Sequence, residues 1–224
     1  MQDLKKHECF ELEILELLNN NKLLENLIFC GGTMLRLCHG LNRYSVDLDF
    51  WITKEIDSEN LYEKLKTSIE NSYTITDHAN KFNTILFEIK SPNYPRALKI
   101  EIRKEPKQIK TDHNIAYSPH SNIQVFLNTV SLNEMMTAKI ECFLARKEIR
   151  DVFDMEFLYK KGFKITADNK TLEKLLKQID SLTQKDFSVK LGSVLEKEER
   201  EYYKEKKFTL LKEHILNLIT GLFP

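Results

Sequence analysis

Residues Val46-Asp47-Leu48-Asp49-Phe50 alternate apolar and acidic side chains, and this alternation narrows the possible folds more than any other feature of the chain. In a strand, residues two apart share a face. Val46, Leu48 and Phe50 therefore point into a core, and Asp47 and Asp49 point together the other way. Like charges side by side on a strand repel. A strand that keeps them is expected to hold a cation between them. Carboxylate oxygens are hard ligands, suited to Mg²⁺ or Mn²⁺ with phosphate completing the shell.

The flanking sequence predicts the rest of a sheet. Leu and Ile at helical spacing over 3–26 predict an amphipathic helix ending in a polar turn at 19–22. Leu27–Cys30 reads as a short apolar strand broken at Gly31-Gly32, Met34–His39 as a short helix and Gly40–Ser45 as a loop. Val46–Ile52 is the acidic strand, and 57–72 a second amphipathic helix capped by Asp57 or Ser58. Thr84–Lys90 and Ala97–Arg103 have period-two patterning and are joined by a turn at 91–95. The polar stretch 104–120 reads as an exposed loop, and Ile123–Val130 as another strand. From Ser131 onward nearly everything reads as helix, with Ser131 and Glu134 as a capping box. The expected organisation is an α/β part at 1–130 and a helical part at 131–224. The alternating charges of 196–207 read as a solvated helix face with i,i+4 ion pairs.

Composition bounds what such a site can serve. Over 224 residues, 34 Lys and Arg balance 34 Asp and Glu, so any nucleic-acid-binding surface must be local. The first residues lack the apolar core of a secretory signal, and no apolar run approaches the roughly 20 residues that span a bilayer. Cys9, Cys30, Cys38 and Cys142 show no metal-binding spacing, which predicts reduced structural thiols. A cytoplasmic protein with no membrane partner is the expectation.

Further residues join the acidic pair. In Ala97–Arg103, the apolar Leu98, Ile100 and Ile102 leave Lys99, Glu101 and Arg103 on the opposite face. Glu101 either completes an Asp-Asp-Glu triad or pairs with its basic neighbours. Gly31-Gly32, just before a helix, lets backbone approach a phosphate, and helix-start N–H groups favour anions. In the first helix after Ser131, Lys139 falls within the stripe of Leu132, Met135, Met136 and Phe143, with Arg146 on the same face. A cation there needs an anionic partner. It binds a phosphate, snorkels past the core or forms a structural bridge. Asp151 is an N-cap or a site acid, and Asp154 is placed to pair with Lys139.

Gly31-Gly32-Thr33, Leu35-Arg36, then Arg43, Ser45, Asp47-Leu48-Asp49-Phe50, then Lys139, Arg146, Arg150-Asp151 and Asp154 resemble the AbiEii/AbiGii toxin family, which includes the MenT toxins. The similarity runs from about residue 28 to 160. It implies an α+β, DNA-polymerase-β-like nucleotidyltransferase core with a mixed sheet and a helical C-terminal part. It also implies nucleotide transfer from an NTP in a toxin–antitoxin or phage-defence role. Carried over by position, Asp47, Asp49 and Glu101 would bind the metals of a two-metal mechanism. Gly31, Gly32, Thr33, Arg36, Ser45, Lys139, Arg146 and Asp151 would bind nucleotide, and Asp154 would support the site. Glu101 would be the base, while Arg43 steadies a phosphate or braces its loop.

The implied acceptor is the 3′ end of tRNA, and a cognate antitoxin is the implied partner. Between 99 and 110, Lys99, Arg103, Lys104, Lys107 and Lys110 outnumber Glu101 and Glu105, which suits an RNA backbone or a merely solvated loop. The alternatives are the same chemistry on a small molecule or a protein hydroxyl, or an idle partner-binding module.

Overall fold

The computed structural model describes residues 1–222; the last two residues of the expected helical part lie outside them. The chain divides into two units, one spanning Met1–Ser131 and the other beginning at Leu132.

The first unit is built on a seven-stranded mixed sheet. Its strands are β1 (Leu27–Cys30), β2 (Asp47–Ile52), β3 (Thr74–Asn80), β4 (Thr84–Lys90), β5 (Leu98–Pro106), β6 (Thr111–Tyr117) and β7 (Gln124–Val130). They lie in the order β3-β4-β5-β2-β1-β7-β6, so the acidic strand β2 is central. It runs antiparallel to β1 and parallel to β5, and β1 is parallel to β7. Along β2 burial alternates: Leu48, Phe50 and Ile52 are buried while Asp47, Asp49 and Trp51 are half-buried. Register continues the two faces outward. Leu48 and Phe50 lie beside Ile100 and Ile102, and Phe87 of β4 lies beside Ile100.

Helices α1 (Gln2–Asn20), α2 (Gly31–His39) and α3 (Ser58–Glu70) complete the unit. Phe10 of α1 is fully buried and stacks on Tyr94 at 4.7 Å between centroids. On α3, Tyr62 stacks on Phe87 at 5.3 Å. Its N-cap is Asp57, whose carboxylate accepts from the N–H groups of Glu59 and Asn60.

Several expectations need correction. The polar stretch 104–120 is not a loop: β5 runs on to Pro106, and Thr111–Tyr117 is a strand. Only Ala116 of that strand is buried, so an edge strand with almost no apolar inner face left no hydropathy period to read. For the same reason β3, a polar strand at the other edge, had no counterpart among the expected elements. The helix of 3–26 ends at Asn20, and a 3₁₀ turn follows at Leu23–Asn26 after Lys22 in the left-handed region. The helix after the glycines starts at Gly31 rather than Met34. The Ser131 hydroxyl is buried without a hydrogen-bond partner among the described residues, so the capping box does not close.

The second unit holds α4 (Leu132–Arg146), α5 (Ile149–Lys160), α6 (Asn169–Asp180), α7 (Lys197–Lys206) and α8 (Thr209–Thr220), with π and 3₁₀ turns over 186–194. Its aromatic centre is Tyr203, against Phe153 (4.8 Å) and Phe208 (5.2 Å). Tyr203 belongs to the charged segment expected to be solvated. It is buried, and its hydroxyl donates to Glu156 at 2.9 Å; burial and the Glu156 carboxylate push its pKa up. No helix among the described residues is long and apolar enough to cross a membrane.

Candidate active site

The first unit brings most of the predicted residues together where β1 turns into α2. Gly31 opens the helix at φ +80°, in the left-handed region that favours glycine. A Cβ there would stand 2.5 Å from Asp49 Oδ2. Gly32 is the second close approach: a Cβ would meet the Arg43 guanidinium and stand 2.8 Å from Ser45 Oγ. The glycine pair therefore lets a helix N-terminus lie against Asp49, Ser45 and Arg43 at once. Cys30, the N-cap, makes no side-chain cap bond; its thiol donates to Asp49 O at 3.4 Å. First-turn N–H groups and the positive end of the helix dipole thus lie beside a carboxylate, an arrangement suited to a bound anion with its counter-cation.

Thr33 was expected to hold phosphate. Its hydroxyl is buried and donates to Asp47 O at 2.6 Å, so the side chain ties α2 to β2. Arg36, also expected at the nucleotide, donates to Glu8 Oε2 and to Leu41 O, both at 2.9 Å, and covers the Tyr44 ring at 4.3 Å. These contacts pin α1 and the following loop. Arg43 is buried and donates to Tyr44 O at 3.0 Å, which fits the bracing role.

Glu101 pairs with a basic neighbour and lies in register with the acidic pair. It lies directly across from Asp49 in the β2–β5 register, and Lys99 lies across from Asp47. Lys99 Nζ also stands 3.0 Å from Glu101 Oε2. Its pKa is raised, first by the hydrogen bond to Glu101, against partial desolvation, with help from Asp47 and Asp49. Among the described residues no three acidic, His or Cys side chains converge into a metal-ligating group; Glu101 is turned toward Lys99. The donor chemistry nonetheless fits a hard divalent cation. Three half-buried carboxylates occupy neighbouring positions with one ammonium, and the backbone beside Asp49 is cleared by glycine.

Residues that sequence reasoning missed lie on α1. His7, Glu8 and Glu11 are buried. His7 Nε2 is 3.0 Å from Val46 O, next to Asp47, and Glu11 Oε1 is 3.6 Å from the same nitrogen. Burial lowers the His7 pKa and raises that of Glu11 well above the carboxylate range. Both shifts act against charge on the pair. The signal was available: Leu4, His7, Glu8, Glu11, Leu15 and Leu18 follow helical spacing, so polar residues occupy the core stripe.

The second unit carries its own charge cluster. Lys139 Nζ lies 2.6 Å from Asp154 Oδ2 and 3.2 Å from Asp151 Oδ1, and all three residues are buried. Arg146 grips Asp151 with two bonds of 2.8 Å. The expected Lys139–Asp154 pair is present. Asp151 is not the N-cap of α5, a position Glu148 takes. The basic run of 99–110 continues β5 and leads into β6, with Lys107 set 5.7 Å from the Trp51 ring centroid.

Residues 13–218 match the family of nucleotidyl transferase AbiEii toxins of type IV toxin–antitoxin systems. No curated protein sequence matches the chain. Among solved structures, a Helicobacter pylori protein proposed to be a nucleotidyltransferase is similar at TM-score 0.59 and 20% identity, covering 96% of this chain and 98% of its own. JHP933 from Helicobacter pylori gives 0.54 and 20%, covering 94% of both chains. MenT4, a nucleotidyltransferase toxin from Mycobacterium tuberculosis, gives 0.52 and 16%, covering 92% of this chain and 85% of its own.

Proposed function

The chain belongs to the AbiEii family of nucleotidyltransferase toxins, and from that premise we propose that it transfers a nucleotide from an NTP to the 3′ end of tRNA in a divalent-metal-dependent reaction. The observation that carries the reading is Asp49 packed on Gly31 at the start of α2, with Asp47 beside it and Glu101 across the register.

The acceptor hydroxyl oxygen attacks the α-phosphorus, its bond to pyrophosphate breaks, and the hydroxyl proton passes to the Glu101 carboxylate. Asp47, Asp49 and Glu101 are the residues that would hold Mg²⁺ or Mn²⁺, which supplies Lewis-acid stabilisation of the charge developing on phosphate. The N–H groups of Gly31 and Gly32 bind phosphate oxygens, with Ser45 Oγ at their side. Thr33, Arg36 and Arg43 keep α2 seated on β2 so that these groups stay aimed. In the helical unit, Asp154 and Asp151 orient the Lys139 ammonium, and Arg146 holds Asp151 in place. The setting is cytoplasmic, with a cognate antitoxin limiting the toxin and phage defence as the purpose.

The test is incubation of the purified chain with each α-³²P-labelled NTP, Mg²⁺ or Mn²⁺ and total RNA, alongside Asp49→Ala. Label in a tRNA-sized band, lost in the variant, is the expected result. Label on protein or a small molecule keeps the chemistry and removes the tRNA acceptor. Absence of transfer from a folded, NTP-binding protein refutes the reading.

A further inference from the structure

The two edges of the sheet are built differently. Edge strands offer unpaired N–H and C=O groups to other chains, and proteins blunt them with bulges, lysines or prolines. On β3 the pairing with β4 is interrupted by a register shift between Ile75 and Asp77. β6 carries no such break, and no lysine or proline falls between Thr111 and Tyr117.

The hydrogen-bond phase of β6 follows from a single contact. Ser131 N–H donates to Lys110 O at 3.0 Å, which makes residues 110 and 131 a hydrogen-bonded pair of the β6–β7 ladder. Bonded pairs then recur at Asp112–Thr129, Asn114–Leu127 and Ala116–Val125. The N–H and C=O groups of Thr111, His113, Ile115 and Tyr117 therefore point away from β7, and among the described residues no strand lies beyond them. Their side chains share an exposed face with Phe126, which lies opposite Ile115 and stacks on His113 at 5.4 Å. Ile115 is 49% exposed, Tyr117 56% and Phe126 61%. The other face of β6 is engaged: Ala116 is buried, and Asn114 Nδ2 donates to Thr129 Oγ1 at 2.7 Å.

We propose that β6 pairs antiparallel with β6 of a second copy of this chain about a two-fold axis at Asn114, joining two sheets edge to edge. The sequence is self-complementary in that register. His113 falls opposite the partner's Ile115 and Thr111 opposite the partner's Tyr117, so every outward-facing group meets an outward-facing group. The charged carboxylate of the strand, Asp112, falls opposite the partner's Ala116, so no like charges face each other. The apolar face becomes continuous across the axis, from Phe126 and Ile115 to His113 and Tyr117 of the partner. Such an isologous contact closes on itself and does not propagate into fibres.

The test is sedimentation equilibrium of the full chain across a concentration series, with Ile115→Lys and Tyr117→Lys as exposed-site variants checked by circular dichroism. A dimer is expected, with a dissociation constant raised roughly 100-fold or more by either substitution. Register is read by oxidation of Asn114→Cys, since residues facing each other across the axis lie about 4.5 Å apart, within disulfide reach. Asp112→Cys sulfurs would be separated by roughly 13 Å of strand offset and should not join. Wild type serves as the control for its own four cysteines. A monomer at all concentrations overturns the proposal. So does a dimer indifferent to both lysine substitutions, as when another surface associates, or one that cross-links at 112 in preference to 114.

Discussion

Gly31→Ala separates the two reasons for a glycine at the start of α2. The added Cβ would stand 2.5 Å from Asp49 Oδ2 where an ordinary contact begins at 3.4 Å, so about 0.9 Å must be found. The φ of +80° adds a left-handed penalty of about 1–2 kcal/mol for an alanine. For a chain of this size that penalty lowers Tm by about 2–8 °C. Moving a reacting group by ~1 Å can cost about 100-fold in rate, so transfer should fall by that order. Gly40→Ala is the matched control. Gly40 ends the same helix at φ +75°, and a Cβ added there would meet nothing within 4 Å, so it carries the strain without the collision. The assay is label transfer from α-³²P NTP to total RNA, with thermal melts of both variants. Both should lose stability, Gly31→Ala at least as much as Gly40→Ala because it adds the collision, and only Gly31→Ala should lose about two orders of magnitude in transfer. Equal transfer by the two variants would refute the claim that the glycine clears space for Asp49.

Removing the Thr33 hydroxyl with Thr33→Val takes the 2.6 Å donor from the Asp47 carbonyl, which should cost about 0.5–1.5 kcal/mol in urea unfolding; Thr33→Ser should recover most of it. Lys139→Met leaves Asp151 and Asp154 buried without their shared ammonium and should cost about 3–5 kcal/mol. Arg146→Met removes a side chain that is 55% exposed, so solvent screening holds its cost to about 1 kcal/mol or less; similar losses in the two would contradict this ordering. Glu11 holds its proton in the fold above the usual 4.5. Its contribution to stability is therefore present below pH 4.5 and is lost as pH rises toward the folded value. Glu11→Gln should raise Tm near pH 7.5, with the gain vanishing as melts approach pH 4.5, and a gain independent of pH would show that Glu11 is not proton-linked.

The centre of the sheet was legible because its strands bury one face or both. Leu27–Cys30, the acidic strand and Thr84–Lys90 were expected within a residue of where they lie, since each alternates or saturates its apolar positions. The edges were not legible: β3 and β6 bury so little that the first drew no expectation and the second read as a loop. At the site, strand period fixed which acids share a face, and register put Glu101 beside Asp49. Periodicity could not show what the other side chains do with their atoms. Thr33 and Arg36 belong to the glycine motif, yet the hydroxyl is committed to a strand carbonyl and the guanidinium to Glu8. His7 and Glu11 went unseen because a core stripe was read for its leucines, not for the polar residues interrupting it.

The two charge clusters answer the demands of stability in opposite ways. In the helical unit two cations, Lys139 and Arg146, meet two buried carboxylates, Asp151 and Asp154. Charges withdrawn from water need such pairing to be tolerated. In the sheet unit, Asp47, Asp49 and Glu101 share a stretch of two neighbouring strands with the Lys99 ammonium and remain half-buried. Three acids on neighbouring strands repel one another, which the Lys99 ammonium offsets in part. The glycine beside Asp49 adds backbone freedom that folding must also overcome. Half-buried acids beside a helix start cleared by glycine are what the proposed cation and phosphate would require. That is the physical reason for proposing the β1–α2 turn as the site of the chemistry.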